Sequence, residues 1–152
     1  MVQVIGLEEK NMKFYKMSDL SKGLYVAVAN LLKGHELQPR YTSTEVAIVL
    51  ANRSSSLEAD REHQHLVDMH PAEGTSPAVF VYTLPNVATG EICIRHKIQG
   101  DNTFFIEREG AVVAECYARM LLETGRARAV ITGRVEKLDQ SWQVELKLLE
   151  TK

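Results

Sequence analysis

Cysteine is scarce in this sequence: Cys93 and Cys116 are the only two in 152 residues. Two thiols so far apart make neither a disulfide framework nor a zinc site. Charge of one sign is also lacking. Eighteen Lys and Arg stand against twenty Asp and Glu, for a net charge of −2 and an isoelectric point near 6.2. That balance argues against a nucleic-acid binder, which carries a basic face. No apolar run approaches the ~20 residues a membrane helix needs; the longest are 46–51 and 78–82. Residues 1–10 show no basic region followed by an apolar stretch, so no signal peptide is expected. No repeat, linker or low-complexity tract appears. The sequence therefore reads as a reduced, cytoplasmic, soluble protein with no membrane and no nucleic-acid partner.

What is present is ordinary globular material, 45% hydrophobic and 25% charged. That is enough for one domain, residues 1–152, with a real core, and it disfavours disorder. Residues 2–6 are read as a short strand. Ser18 is placed to cap a helix in which Leu20, Leu24, Ala27, Val28, Leu31 and Leu32 recur at helical spacing, with Gly34 as the stop. Residues 37–44, with Pro39, form a loop. The run 45–51 is apolar on both faces and rich in β-branched residues, as in a strand buried inside a parallel sheet.

A polar turn at 52–56 leads to a charged helical stretch over 57–69, and 70–77 is a loop. Residues 78–82 fit a strand or a short helix, and periodicity does not separate the two. Pro85-Asn86 opens a helical segment, and 103–106 is a short aromatic strand. Gly110 to Glu123 is a helix with Val113, Ala114, Tyr117, Ala118, Leu121 and Leu122 on one face, ended by Gly125. Residues 128–133 form a buried strand. After a turn at 139–141, Trp142, Val144, Leu146 and Leu148 alternate with Gln143, Glu145 and Lys147, as in a half-buried antiparallel strand. Strands that alternate with helices give an α/β class with a mixed, mainly parallel sheet and an antiparallel C-terminal strand.

At this point the sequence resembles a known family. The segment 76–106 resembles the stretch before the nucleophile of β-ketoacyl synthases, which have the thiolase-like fold. Its marks are Pro85, Asn86, Gly90 and a strand-opening Gly100. Gly125, Gly133 and Glu136 match the spacing downstream, and the helix opening near 11–32 matches upstream. The resemblance covers about residues 11–137 and implies the N-terminal half of such a fold. It further implies a decarboxylative condensation. A cysteine at a sharp strand-to-helix turn, its pKa lowered by the helix N-terminus, takes up an acyl group. Two histidines of the second half assist decarboxylation and hold the oxyanion, and a backbone amide at the nucleophile turn completes the hole.

Two departures shape the expectation. Counting forward from Gly100 puts Glu109 at the nucleophile position, and counting back from Gly125 puts Arg108 there. Neither forms a thioester. The sequence also stops at Lys152, after the first of the fold's two halves, so the histidines, the lysine and the gating phenylalanine of the second half are expected to be missing.

The weak rival nucleophile is Cys116, about two turns into its helix, where the dipole gives little help; it and Cys93 read more readily as small core or interface residues. Glu107, Arg108 and Glu109 read as a substituted active site or, more readily, as a solvated loop, since acid–base work needs a partner and a closed pocket. Glu62, His63, His65, Asp68 and His70 include metal-ligand types, but on a helix His63 and His65 point about 200° apart, so no metal is expected. No cofactor is implied.

Pro85, Asn86 and Gly90 are substrate-channel candidates by resemblance; a packing role, with the glycine allowing close approach, is the favoured reading. Lys10, Lys13, Lys16 and Lys22, with Phe14 and Tyr15, form a mild basic patch suited to an acidic acyl carrier protein or simply to solvent. The resemblance also puts the strand of Asn102, Thr103, Phe104, Phe105 and Ile106 at a dimer seam. Uncovered apolar surface and open sheet edges drive association. The expected assembly is a homodimer or a heterodimer with a full-length synthase.

The functional expectation is a non-catalytic partner or carrier-protein-binding subunit in a fatty-acid-like or polyketide-like pathway. The alternative is an active acyltransferase with a non-standard or shared active site.

Overall fold

The computed structural model describes residues 12–71 and 75–151. The strand read at residues 2–6 lies outside the described residues, as does Lys10. A four-stranded sheet organises the rest, in the order β2-β1-β3-β4, with β1 Val46–Asn52, β2 Asn102–Ile106, β3 Ala129–Leu138 and β4 Ser141–Glu150. β1 pairs in parallel with β2 and β3, and β3 pairs antiparallel with β4. This is the mixed α/β class read from the sequence.

Every residue of β1 is buried, because helices cover both faces of the sheet. The two faces of β1 differ in size. Val46, Ile48 and Leu50 enter a large core with Leu24 and Val28 of α2 (Asp19–Leu31) and Ile92 of α5 (Asn86–His96). Ala47, Val49 and Ala51 face Ala114, Ala118 and Leu121 of α6 (Gly110–Glu123). Small residues on both partners let α6 lie close to the sheet: a Cβ on Gly110 would come within 2.9 Å of the Ala51 Cβ.

The remaining helices are α1 Met12–Tyr15, α3 Leu57–Met69 and α4 Pro77–Val81. Ser18 caps α2, its side chain accepting from the Ser21 N–H. That helix ends at Leu31, earlier than Gly34; Leu32 is its cap and Gly34 takes the left-handed conformation in the turn beyond. The ambiguous stretch 78–82 is helical, started by Pro77 in the first turn.

β3 runs five residues past Gly133, where the sequence reading stopped, because β4 pairs with it along its whole length. Asp139 and Gln140 alone form the hairpin turn. Gly133 at φ +142 occupies a backbone conformation that favours glycine, and a Cβ there would stand 1.9 Å from the Glu145 carbonyl oxygen. Among the described residues no helix is long and apolar enough to cross a membrane.

Candidate functional site

The carboxyl ends of the three parallel strands converge, the position where open α/β sheets bind ligands. After β1 the chain turns through an Asn52 loop: the Asn52 amide donates to the Ser55 carbonyl (2.8 Å) and its side-chain oxygen accepts from the Ser55 N–H (2.9 Å). Glu136, near the end of β3, holds this loop. Its carboxylate accepts from the backbone N–H groups of Arg53 (2.9 Å) and Ser54 (3.1 Å), from the Ser54 hydroxyl, and from the Arg134 guanidinium (3.2 Å). Burial alone would raise the Glu136 pKa, but the hydrogen bonds from Ser54 and Arg53 and the one from Arg134 outweigh it and hold the pKa below the usual carboxylate range. The group is an anion fully engaged in fixing the loop.

The turn between β2 and α6 begins where the Glu107 N–H donates to the Asn52 carbonyl (2.8 Å). The Glu107 carboxylate then accepts from the Arg108 N–H (2.8 Å). Glu109 stands immediately before Gly110, the first residue of α6, and its side chain makes no capping hydrogen bond. All three turn residues are exposed. Glu109 flanks the helix N-terminus and Arg108 precedes it. With Arg53 and Ile106, Glu107 and Arg108 line an open recess of about 370 Å³. The turn offers helix N–H groups and a carboxylate beside their positive end, but no thiol, hydroxyl or imidazole to attack a carbonyl.

The cysteines lie elsewhere. Cys116 is exposed, in the middle of α6. Cys93 is part of α5 and half-buried, and burial pushes its thiol up to about 11. A raised pKa is the opposite of what a nucleophilic thiol needs.

Pro85, Asn86 and Gly90 sit at the start and middle of α5. A Cβ on Gly90 would meet nothing within 4 Å, so close packing does not explain this glycine and that expectation is corrected. His63 packs its ring 5.4 Å from that of Phe80 on α4, and His65 is exposed. No group of three or more metal-ligating side chains occurs among the described residues.

No protein-family model and no curated protein matches the chain. Solved structures do. It is similar to the ishigamide ketosynthase/chain length factor, with a TM-score of 0.66 and 26% identity, covering 81% of this chain and 35% of that one. The chain has a divergent ketosynthase-like fold. A ketosynthase in complex with its chain length factor from Xenorhabdus doucetiae matches with a TM-score of 0.62 and 19% identity, over 86% of this chain and 51% of that one. A type II polyketide synthase acyl-carrier protein in complex with its ketosynthase bound to the hexaketide matches with a TM-score of 0.70 and 20% identity, over 86% and 38%. The ketosynthase-like chain thus spans about a third to a half of the length of these neighbours.

Within this ketosynthase-like fold, the basic patch is partly neutralised: Lys13 pairs with Glu91 at 2.8 Å and Lys22 with Asp19 at 3.5 Å. Phe14 is buried in the core, whereas Tyr15 is 66% exposed. Beside the patch lies a cavity of about 460 Å³ that no sequence pattern marks. Lys16, Ser56, Ala59, Tyr82 and Lys137 are among its lining residues; none of Pro85, Asn86 or Gly90 reaches it. Lys137, on β3, is almost wholly buried, paired with Glu58 at 3.1 Å and lying 5.4 Å from the Trp142 ring centre. Trp142 is its cross-strand neighbour in the β3–β4 hairpin, whereas Glu58 comes from α3, far away in sequence.

Proposed function

We propose that this chain is a non-catalytic partner that associates with a ketosynthase in a polyketide-like or fatty-acid-like pathway. One observation carries the reading. The strand-to-helix turn at the start of α6 is filled by Glu107, Arg108 and Glu109, with the nearest thiol on α6, Cys116, well inside the helix. Glu109 is the residue assigned to the nucleophile's place. Its carboxylate suits the helix N-terminus electrostatically but makes no acyl-enzyme.

The similar structures support a partner role, since two of the three pair a ketosynthase with a chain length factor and the third includes an acyl-carrier protein. The proposed seam is β2, whose Asn102, Thr103, Phe104, Phe105 and Ile106 form an edge of the sheet, with Ile106 48% exposed. The outer face of α6 is a poorer surface for an apolar partner layer. Val112, Cys116, Arg119 and Glu123 are exposed along it, and Glu115 bridges Arg119 (2.6 Å) and Lys147 (2.7 Å). Lys16, Lys22 and Tyr15 are assigned as the approach for an acidic carrier protein. Pro85, Asn86 and Gly90 are assigned no substrate contact.

Intact-protein mass spectrometry after incubation with acyl-CoA and acyl-carrier-protein thioesters tests the absence of catalysis, with a cysteine ketosynthase as loading control. No adduct is expected. An acyl adduct mapped to Cys116 or Cys93 would overturn the reading in favour of acyl transfer at a relocated site.

A further inference from the structure

β4 is the other edge of the sheet among the described residues. It is long, ten residues, and its inner side is fully occupied by β3. The Glu145 carbonyl oxygen faces β3 beside Gly133. Backbone groups alternate in direction along an antiparallel strand, so those of Val144, Leu146 and Leu148 turn to the open side. The side chains of these three residues pack on the α2 core but remain only partly buried. The strand thus presents outward hydrogen-bonding groups and an unfinished apolar row.

Charged residues on an edge strand ordinarily discourage pairing. Here the two central charges have opposite sign and stand two residues apart. Glu145 and Lys147 are both exposed on the α6 side of the sheet. Lys147 touches Glu115 at 2.7 Å, while Glu145 forms no ion pair among the described residues.

We propose that this edge is a self-complementary seam at which a second copy of the chain adds its own β4 antiparallel, with the two-fold axis at Leu146. Keeping the apolar rows of both copies on one face restricts the register to even-numbered sums of paired residues. Centring the pair on Glu145 sets Glu145 against Glu145, and centring it on Lys147 sets Lys147 against Lys147. Centring it on Leu146 sets Glu145 of each copy against Lys147 of the other, twice by symmetry. The same register places Val144 opposite Leu148 and Leu146 opposite itself, and Leu146 is one of the residues whose backbone groups face outward. Apolar rows and outward hydrogen-bonding groups match in all three of these registers, and the charges favour the one centred on Leu146. The seam is separate from β2 and stands whether or not a ketosynthase binds there.

The test is charge reversal followed by mixing, read by light scattering coupled to size exclusion, with circular dichroism to check the fold. Glu145→Lys sets Lys against Lys in the homotypic pair, and Lys147→Glu sets Glu against Glu. Each variant alone should self-associate at least about tenfold more weakly than the wild type. An equimolar mixture of the two restores both opposite-charge pairs and should recover the wild-type mass. A wild-type chain that is monomeric, single variants that keep the wild-type mass, or a mixture that fails to recover it would each overturn the proposal.

Discussion

Ser54 donates to Glu136 twice, from its backbone N–H at 3.1 Å and from its hydroxyl. With the Arg53 N–H at 2.9 Å, these bonds tie the end of β3 to the loop leaving β1. They fix the wall of the recess beside the Glu107–Arg108 turn. A carboxylate is required there because every neighbour is a donor.

Glu136→Gln places an amide N–H₂ among those donors and should cost about 1–3 kcal/mol in chemical denaturation. The folded-state pKa of Glu136 is lowered, so its contribution is present above the unfolded-state pKa and is lost as the pH falls through the folded value. Wild-type stability should therefore fall through the acid range, below the ordinary carboxylate pKa of about 4. The variant should show a shallower fall. Equal acid slopes for the two proteins would contradict the role given to Glu136.

The Trp142 ring lies against α2 so closely that a Cβ on Gly23 would stand 1.9 Å from it. Gly23→Ala should destabilise by about 1–3 kcal/mol through overpacking, with a shift in tryptophan fluorescence. Gly90→Ala should do the reverse: with open space around it in a helix interior, the change should be neutral or stabilising by up to ~1 kcal/mol. A destabilising Gly90→Ala would restore a packing role for that residue.

Thiol labelling separates the cysteines. Cys116 is exposed and should react with a thiol reagent in the native state. Cys93, half-buried with its pKa pushed up to about 11, should react much more slowly until the protein unfolds. Cys116→Ala should change stability by no more than about 0.5 kcal/mol. Preferential labelling of Cys93 would contradict the burial seen around it.

The parts of the fold that showed in the sequence are those whose surroundings are uniform. β1 reads as a buried strand because both its faces meet apolar layers, and Leu57–Met69 reads as a helix from its own charged pattern. The second half of β3 did not show, since Arg134, Glu136 and Lys137 look like a solvated tail. The burial of Glu136 and Lys137 comes from Ser54 and Glu58, brought near by folding, and from Trp142 across the hairpin. At the strand-to-helix turn, spacing counts left Arg108 and Glu109 as alternatives one residue apart. The structure adds that α6 starts at Gly110 with Glu109 beside it, because helix caps depend on backbone geometry that spacing counts do not carry. The cavity beside Lys137 gathers residues from four segments of chain and has no local signature.

The most direct measurement is affinity capture of the wild-type chain and of an Ile106→Lys variant from native lysate, with the bound proteins identified by mass spectrometry. The account predicts that the wild type recovers a ketosynthase carrying its nucleophilic cysteine and that the variant, charged at the edge of β2, recovers far less. No ketosynthase with either chain, or equal recovery with both, would contradict it.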